Sequence, residues 1–128
     1  ALAKIKEGNY KVKNLVDVEF DLIHSKVTNE ALQQEIIKEN TPNLLANIHG
    51  SLLKEKENEI IAILEELPSS EDIISWMKKV NALTTMPELT LDESLKPLTL
   101  RMSPYARQRL TFMRLLKFYD FYDEIIGE

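Results

Sequence analysis

Three junctions in this sequence mark helix starts: Thr41-Pro42 and Ser103-Pro104 share a cap-then-proline order, and at Pro68-Ser69 the proline stops one helix and the serine caps the next. A hydroxyl at a helix entry accepts a bond from one of the first unpaired backbone N–H groups, and proline at the first helical position has no N–H to leave unpaired and a φ already set. Each junction is followed by apolar residues at helical spacing, so the chain is predicted to be a series of helices joined by short capped turns. Leu44, Leu45, Ile48 and Leu52, then Ile60, Ile61, Ile63, Leu64 and Leu67, predict a long helix after Thr41-Pro42. Its charged segment, Lys54 to Glu59, either faces outward or marks a break, and Gly50 is a tolerated weak point. Ser69 with Asp72 three residues on reads as a capping box, opening a helix whose core face is Ile73, Ile74, Trp76, Met77 and Val80. Ser103-Pro104 starts a final helix with a wide stripe, from Tyr105 and Leu110 through Leu116, Phe118, Tyr119 and Tyr122 to Ile126, expected to be largely buried.

The amino-terminal part is less regular. Residues 1–14 are basic and lack a clean period, Gly8-Asn9 reads as a turn, and this end is expected to be poorly ordered. From Leu15 to Val27 alternation and helical spacing compete, and the helical context downstream favours helix. Thr28 offers an N-cap for a helix carrying Leu32, Ile36 and Ile37 that should end near Asn40. Residues 81–90 form a connector, after which Thr90 or Asp92 caps a short helix limited by Pro97. The expected fold class is all-α: a bundle of about five to six helices in a single domain over residues 1–128.

Composition narrows the function. A hydrophobic share of 44% against 29% charged is enough apolar surface for a folded core. There is no cysteine, no signal-like run and no stretch long enough to span a bilayer, so a cytoplasmic setting is the expectation. The net charge of -5 speaks against a broad nucleic-acid surface. One basic stretch stands out: Arg101, Arg107, Arg109, Arg114 and Lys117 occur with no carboxylate among them. Its plain reading is that long cations flank a buried stripe and pair with acidic faces elsewhere; its sharper reading is an anion or partner patch. The chain starts with alanine and holds only three glycines, which leads us to expect a piece of something longer or a processed product.

Little here carries chemistry. The only imidazoles are His24 and His49, and two histidines without a placed carboxylate make a weak metal case. The carboxylate pairs Glu55/Glu59, Glu65/Glu66, Glu71/Asp72 and Asp92/Glu93 read as solvated helix faces and partners of helix N-termini. No Gly-rich phosphate loop or nucleophile elbow occurs. No catalytic, cofactor-binding or metal-ligating residue is assigned within the chain.

Three segments together resemble a known family. Leu67-Pro68-Ser69-Ser70-Glu71-Asp72-Ile73, Thr84-Thr85-Met86-Pro87-Glu88-Leu89 and Arg107-Gln108-Arg109-Leu110-Thr111 are similar to the carboxy-terminal end of AraM-type sn-glycerol-1-phosphate dehydrogenases, in the iron-containing alcohol dehydrogenase and dehydroquinate synthase-like superfamily. The resemblance covers about residues 40–126. Leu110 stands where the family has an aromatic residue, and Asn81-Ala82-Leu83 where it usually has Gly-Ala-Pro. The resemblance implies a parent that reduces dihydroxyacetone phosphate with NAD(P)H, in phospholipid metabolism, using a Zn2+ or Ni2+ ion held by one Asp and two His. His49-Gly50 echoes one family metal segment, but Leu53-Lys54 follows where Val-Gly would be, so it is not read as a ligand. A chain of 128 residues has no room for the nucleotide fold as well, so neither that fold nor the metal site is expected here. Arg107, Arg109 and Thr111 are expected to be structural, the arginines binding carboxylates or carbonyls of neighbouring helices. The chain would then be a catalytically silent helical portion. Its expected partner is an upstream nucleotide-binding domain or a second copy of itself. The alternative is a stand-alone helical interaction module, a degenerate paralogue of that family among the possibilities.

Overall fold

The computed structural model describes residues 1–127. They form nine short helices: α1 Leu2–Glu7, α2 Phe20–Lys26, α3 Glu30–Glu39, α4 Gly50–Glu55, α5 Glu57–Glu65, α6 Ser70–Lys79, α7 Lys96–Met102, α8 Phe112–Leu116 and α9 Tyr122–Ile126. 3₁₀ turns at Pro87–Leu89, Glu93–Leu95 and Ser103–Tyr105 complete the set. The fold is all-α, as the sequence predicts. The helices outnumber expectation because the two longest expected ones are divided.

The two ends of the chain build the core together. Ile5 of α1, Tyr10, Leu45, Leu53 of α4, and Leu116, Phe118, Tyr119, Phe121, Tyr122 and Ile126 form one buried cluster. Residues 1–14 are therefore ordered rather than loose. Ile5 is fully buried, α1 packs on α5, and Gly8 closes α1 in the left-handed conformation that glycine adopts without a Cβ penalty. Beyond that turn, residues 11–13 lie antiparallel to 118–120: Lys13 N–H donates to the Phe118 carbonyl at 2.7 Å and Asp120 N–H to the Lys11 carbonyl at 3.0 Å. These bonds use backbone groups that a continuous final helix would have to spend on itself, so the predicted helix from Ser103 divides into α8 and α9. Its expected start is also diverted, because the Ser103 hydroxyl donates back to the Leu100 carbonyl at 2.9 Å and Thr111 provides the actual N-cap of α8.

The long helix expected after Thr41-Pro42 fails for a similar reason. Thr41 Oγ1 donates backward to the Ile37 carbonyl at 2.9 Å, closing α3 instead of capping a new helix. The Asn43 carboxamide accepts from Leu45 N–H at 2.9 Å and donates to the Val16 carbonyl at 3.0 Å, fixing a turn. Helix resumes only at Gly50, and the charged segment does mark a break, at Lys56 between α4 and α5. Gly50 is more than a weak point. Its N–H donates to the Asn14 carbonyl at 3.1 Å, and a Cβ there would lie 2.0 Å from the Lys13 carbonyl oxygen. The alternating residues from Leu15 to Val18 form no regular element, so α2 begins later than expected, at Phe20. Asn29, not Thr28, caps α3 by accepting from Leu32 N–H at 2.9 Å.

Ser69 and Asp72 close the predicted capping box of α6. The expected core face of that helix is not buried. Ile73, Ile74, Trp76 and Val80 are exposed, and no residue between Leu53 and Pro104 is buried at all.

Candidate functional site

Two features stand apart from ordinary core packing: an ion cluster around Glu19 and the unpacked apolar stretch around α6. Glu19 precedes α2 as its N-terminal flanking residue, while Arg101 comes from α7, Tyr105 from the following 3₁₀ turn and Lys117 from the end of α8. Glu19 Oε1 accepts from Arg101 Nε at 2.9 Å and Nη2 at 2.6 Å, and Oε2 accepts from Tyr105 Oη at 2.9 Å and from Lys117 Nζ. Burial alone would raise the Glu19 pKa, but the bonds from Arg101, Lys117 and Tyr105 outweigh it and hold the carboxyl at about 2. Lys117 is almost fully buried, and burial lowers its pKa while Glu19 opposes that shift. The two partners thus pull in different directions. The geometry of the pair, with Tyr105 and Arg101 also engaged, favours the ionised state at neutral pH. Burial beside the Glu19 carboxylate pushes the Tyr105 phenol up.

This cluster opens onto a cleft of about 240 Å³ lined also by Lys13, Asp17, Tyr122 and Asp123. Three cations there face three carboxylates, so the cleft has no net charge with which to hold an anion. Its chemistry is that of a clamp tying the entry of α2 to the carboxy-terminal helices. A second clamp lies beside it. Arg114, fully buried, donates through Nη2 to Asn40 Oδ1 at 2.6 Å and to the Arg107 carbonyl at 2.8 Å, and Asn40 Nδ2 donates to the Tyr105 and Ile36 carbonyls at 2.7 Å each. This set satisfies carbonyls at the end of α3, at Tyr105 and at Arg107, while Arg114 Nε is buried without a partner among the described residues.

The basic stretch therefore divides. Arg101 and Lys117 engage Glu19 and Arg114 is buried, whereas the Arg107 and Arg109 side chains are exposed and make no ion pair among the described residues. Arg107 acts through its backbone, whose carbonyl accepts from Arg109 N–H at 2.8 Å as well as from Arg114. Thr111 caps α8, its hydroxyl accepting from Arg114 N–H at 3.3 Å. The arginines that matter structurally are the two flanking that motif, and only the acid-free run of cations in the sequence hinted at them. Glu19, the acidic partner, lies too far upstream for spacing to identify.

Neither histidine fits a metal. His24 Nδ1 pairs with Gln33 Oε1 at 3.0 Å, within a junction where Gln33 Nε2 also donates to the Val27 carbonyl at 2.9 Å and closes the end of α2. His49 is exposed at the entry of α4. No group of three His, Asp, Glu or Cys residues able to hold a metal ion comes together among the described residues. The family-like segment at Thr84 to Leu89 is a local turn. Glu88 accepts from Thr84 N–H at 2.7 Å and Thr85 N–H at 2.9 Å, and these bonds hold its carboxyl below the ordinary value.

The second feature is apolar. Most of the large apolar side chains left exposed among the described residues lie between Ile63 and Leu95, on the outer side of α5, on α6 and on the connector to α7. Apart from these, a nearly nonpolar recess of about 190 Å³ lies between α4, α5 and the Leu110–Leu115 segment. These exposed apolar side chains offer contact area and carry no reactive group. No helix among the described residues is long and apolar enough to cross a membrane. Comparison of the chain with protein-family models, with curated proteins and with solved structures returns no match.

Proposed function

We propose that this chain acts by packing rather than by chemistry, as the carboxy-terminal helical portion of a glycerol-1-phosphate dehydrogenase-like oxidoreductase. The observation that carries the packing role is the apolar series on α6 and its connector, held in defined helical geometry yet exposed. Fully burying one such side chain stabilises by roughly 1.5–3 kcal/mol, so the series represents several kcal/mol of docking free energy not used within the chain. The motif segments that carry the family resemblance support a structural part in that role. Ser69 and Asp72 cap α6, Glu88 closes the connector turn, and Thr111 caps α8. In the proposed parent, NAD(P)H supplies the hydride and a divalent metal polarises the carbonyl, both outside these residues. Within this chain the Glu19 and Arg114 clamps hold α2 and α3 against α7 and α8.

The second reading is a stand-alone interaction module, which would use the same exposed apolar surface. The test is a chimera. Residues 40–126 replace the matching carboxy-terminal segment of an AraM-type glycerol-1-phosphate dehydrogenase, and NADPH-dependent reduction of dihydroxyacetone phosphate is measured. The first reading expects a folded, active enzyme. A folded chimera without activity, or one that fails to fold, contradicts it and leaves the module.

A further inference from the structure

On α6, Ile73, Trp76, Met77 and Val80 follow at i, i+3, i+4 and i+7 and form one stripe. Trp76 is 53% exposed and Val80 75%. Asp72 and Lys79 are seven residues apart, so they lie on the same flank of that stripe, one near each end of the helix. Lys79 makes no ion pair among the described residues.

We propose that α6 pairs with α6 of a second copy, antiparallel about a two-fold axis, with Trp76 near the axis. This rests on the reading of the exposed series as a docking surface and names its occupant. When two helices pair antiparallel about a two-fold axis, each flank meets its own image reversed. The antiparallel arrangement places Asp72 against Lys79 of the second copy twice. A parallel two-fold arrangement would turn this flank toward the opposite flank of the second copy and bring neither Asp72 nor Lys79 to the other, so the charge pairing favours the antiparallel direction while the stripe supplies the attraction. A ten-residue helix pair buries less than the roughly 1,200–2,000 Å² of a stable interface, so the pairing is weak, with a Kd of about 10 µM to 1 mM.

Sedimentation equilibrium between about 10 µM and 1 mM tests the pairing, with Trp76 emission recorded alongside. The wild-type chain is expected to dimerise with a blue shift of that emission. Lys79→Glu and Asp72→Lys should each weaken pairing at least tenfold, because each sets like charges together. Mixing the two variants should restore it, since the mixed pair regains both contacts. Trp76→Glu leaves the caps and flanks intact and covers the case in which Asp72→Lys loses its helix; it should abolish pairing. A wild-type monomer throughout that range, a dimer indifferent to Lys79→Glu or Trp76→Glu, or folded variants that fail to complement each other would overturn the proposal. A monomer would still leave the packing role open to the chimera test.

Discussion

Tyr119 and Trp76 are both large aromatic residues on strongly patterned segments, yet Tyr119 is 0% exposed and Trp76 is 53% exposed. The difference lies in what the rest of the chain brings to each. Tyr119 stacks on Phe121 with ring centroids 5.0 Å apart and meets Tyr10 at 5.2 Å, while residues 11–13 bond its backbone neighbours. Burial, then the nearby Glu57, pushes its phenol up to about 12. Around Trp76 no buried residue exists on either side, from α5 to the end of α7. Amphipathicity records that a helix has an apolar face to cover; it does not say whether the cover lies in the same chain.

The largest contrast should come from truncating one residue in each region. Phe118→Ala, at a fully buried position, is expected to cost about 3–5 kcal/mol in urea unfolding, whereas Trp76→Ala should shift stability by no more than about 0.5 kcal/mol in the dilute chain. Comparable losses at the two sites would erase the distinction between them. Next comes Gly50→Ala, which forces a Cβ against the Lys13 carbonyl and parts the amino-terminal segment from α4. A loss of about 1–3 kcal/mol is expected, with α6 helicity unchanged.

Acid should reach the core through Glu19. The Glu19 carboxyl titrates at about 2 when folded against an ordinary 4.5. The group is thus depressed: its contribution is fully present above about 4.5 and is lost as the pH falls through 2. Stability measured at pH 6 and at pH 2.5 should fall for the wild type and fall less for Glu19→Gln. An identical decline in both would remove the clamp from the account. A local effect belongs to Ser69→Ala, which opens the capping box. About 1 kcal/mol of α6 stability should go, visible as lost ellipticity with the cooperative unfolding midpoint in place.

Local signals were legible where a residue's partner lay within one helical turn. Ser69 and Asp72, Gly8 and the end of α3 near Asn40 all follow from capping and spacing. Signals failed where a distant segment competed for the same backbone groups. Thr41 and Ser103 carry cap hydroxyls that bond backward to preceding helices, and the Lys11–Lys13 segment takes the backbone that would have continued α8. The candidate site was half readable. The acid-free run of cations pointed to buried or paired positions, and three of its five members are such, but Glu19 and Asn40 are joined to them only by the fold. The exposure of α6 was beyond local pattern, because its stripe is indistinguishable in sequence from one that docks.

Hydrogen exchange resolved by peptide, on the chain at low micromolar concentration, addresses the division between the two regions directly. Amides of α6 and of the connector through Leu95 should exchange orders of magnitude faster than those of α8, α9 and residues 116–122, whose protection should approach that of global unfolding. Equal protection across both regions would contradict the account, since α6 would then be held by the same core that holds Tyr119.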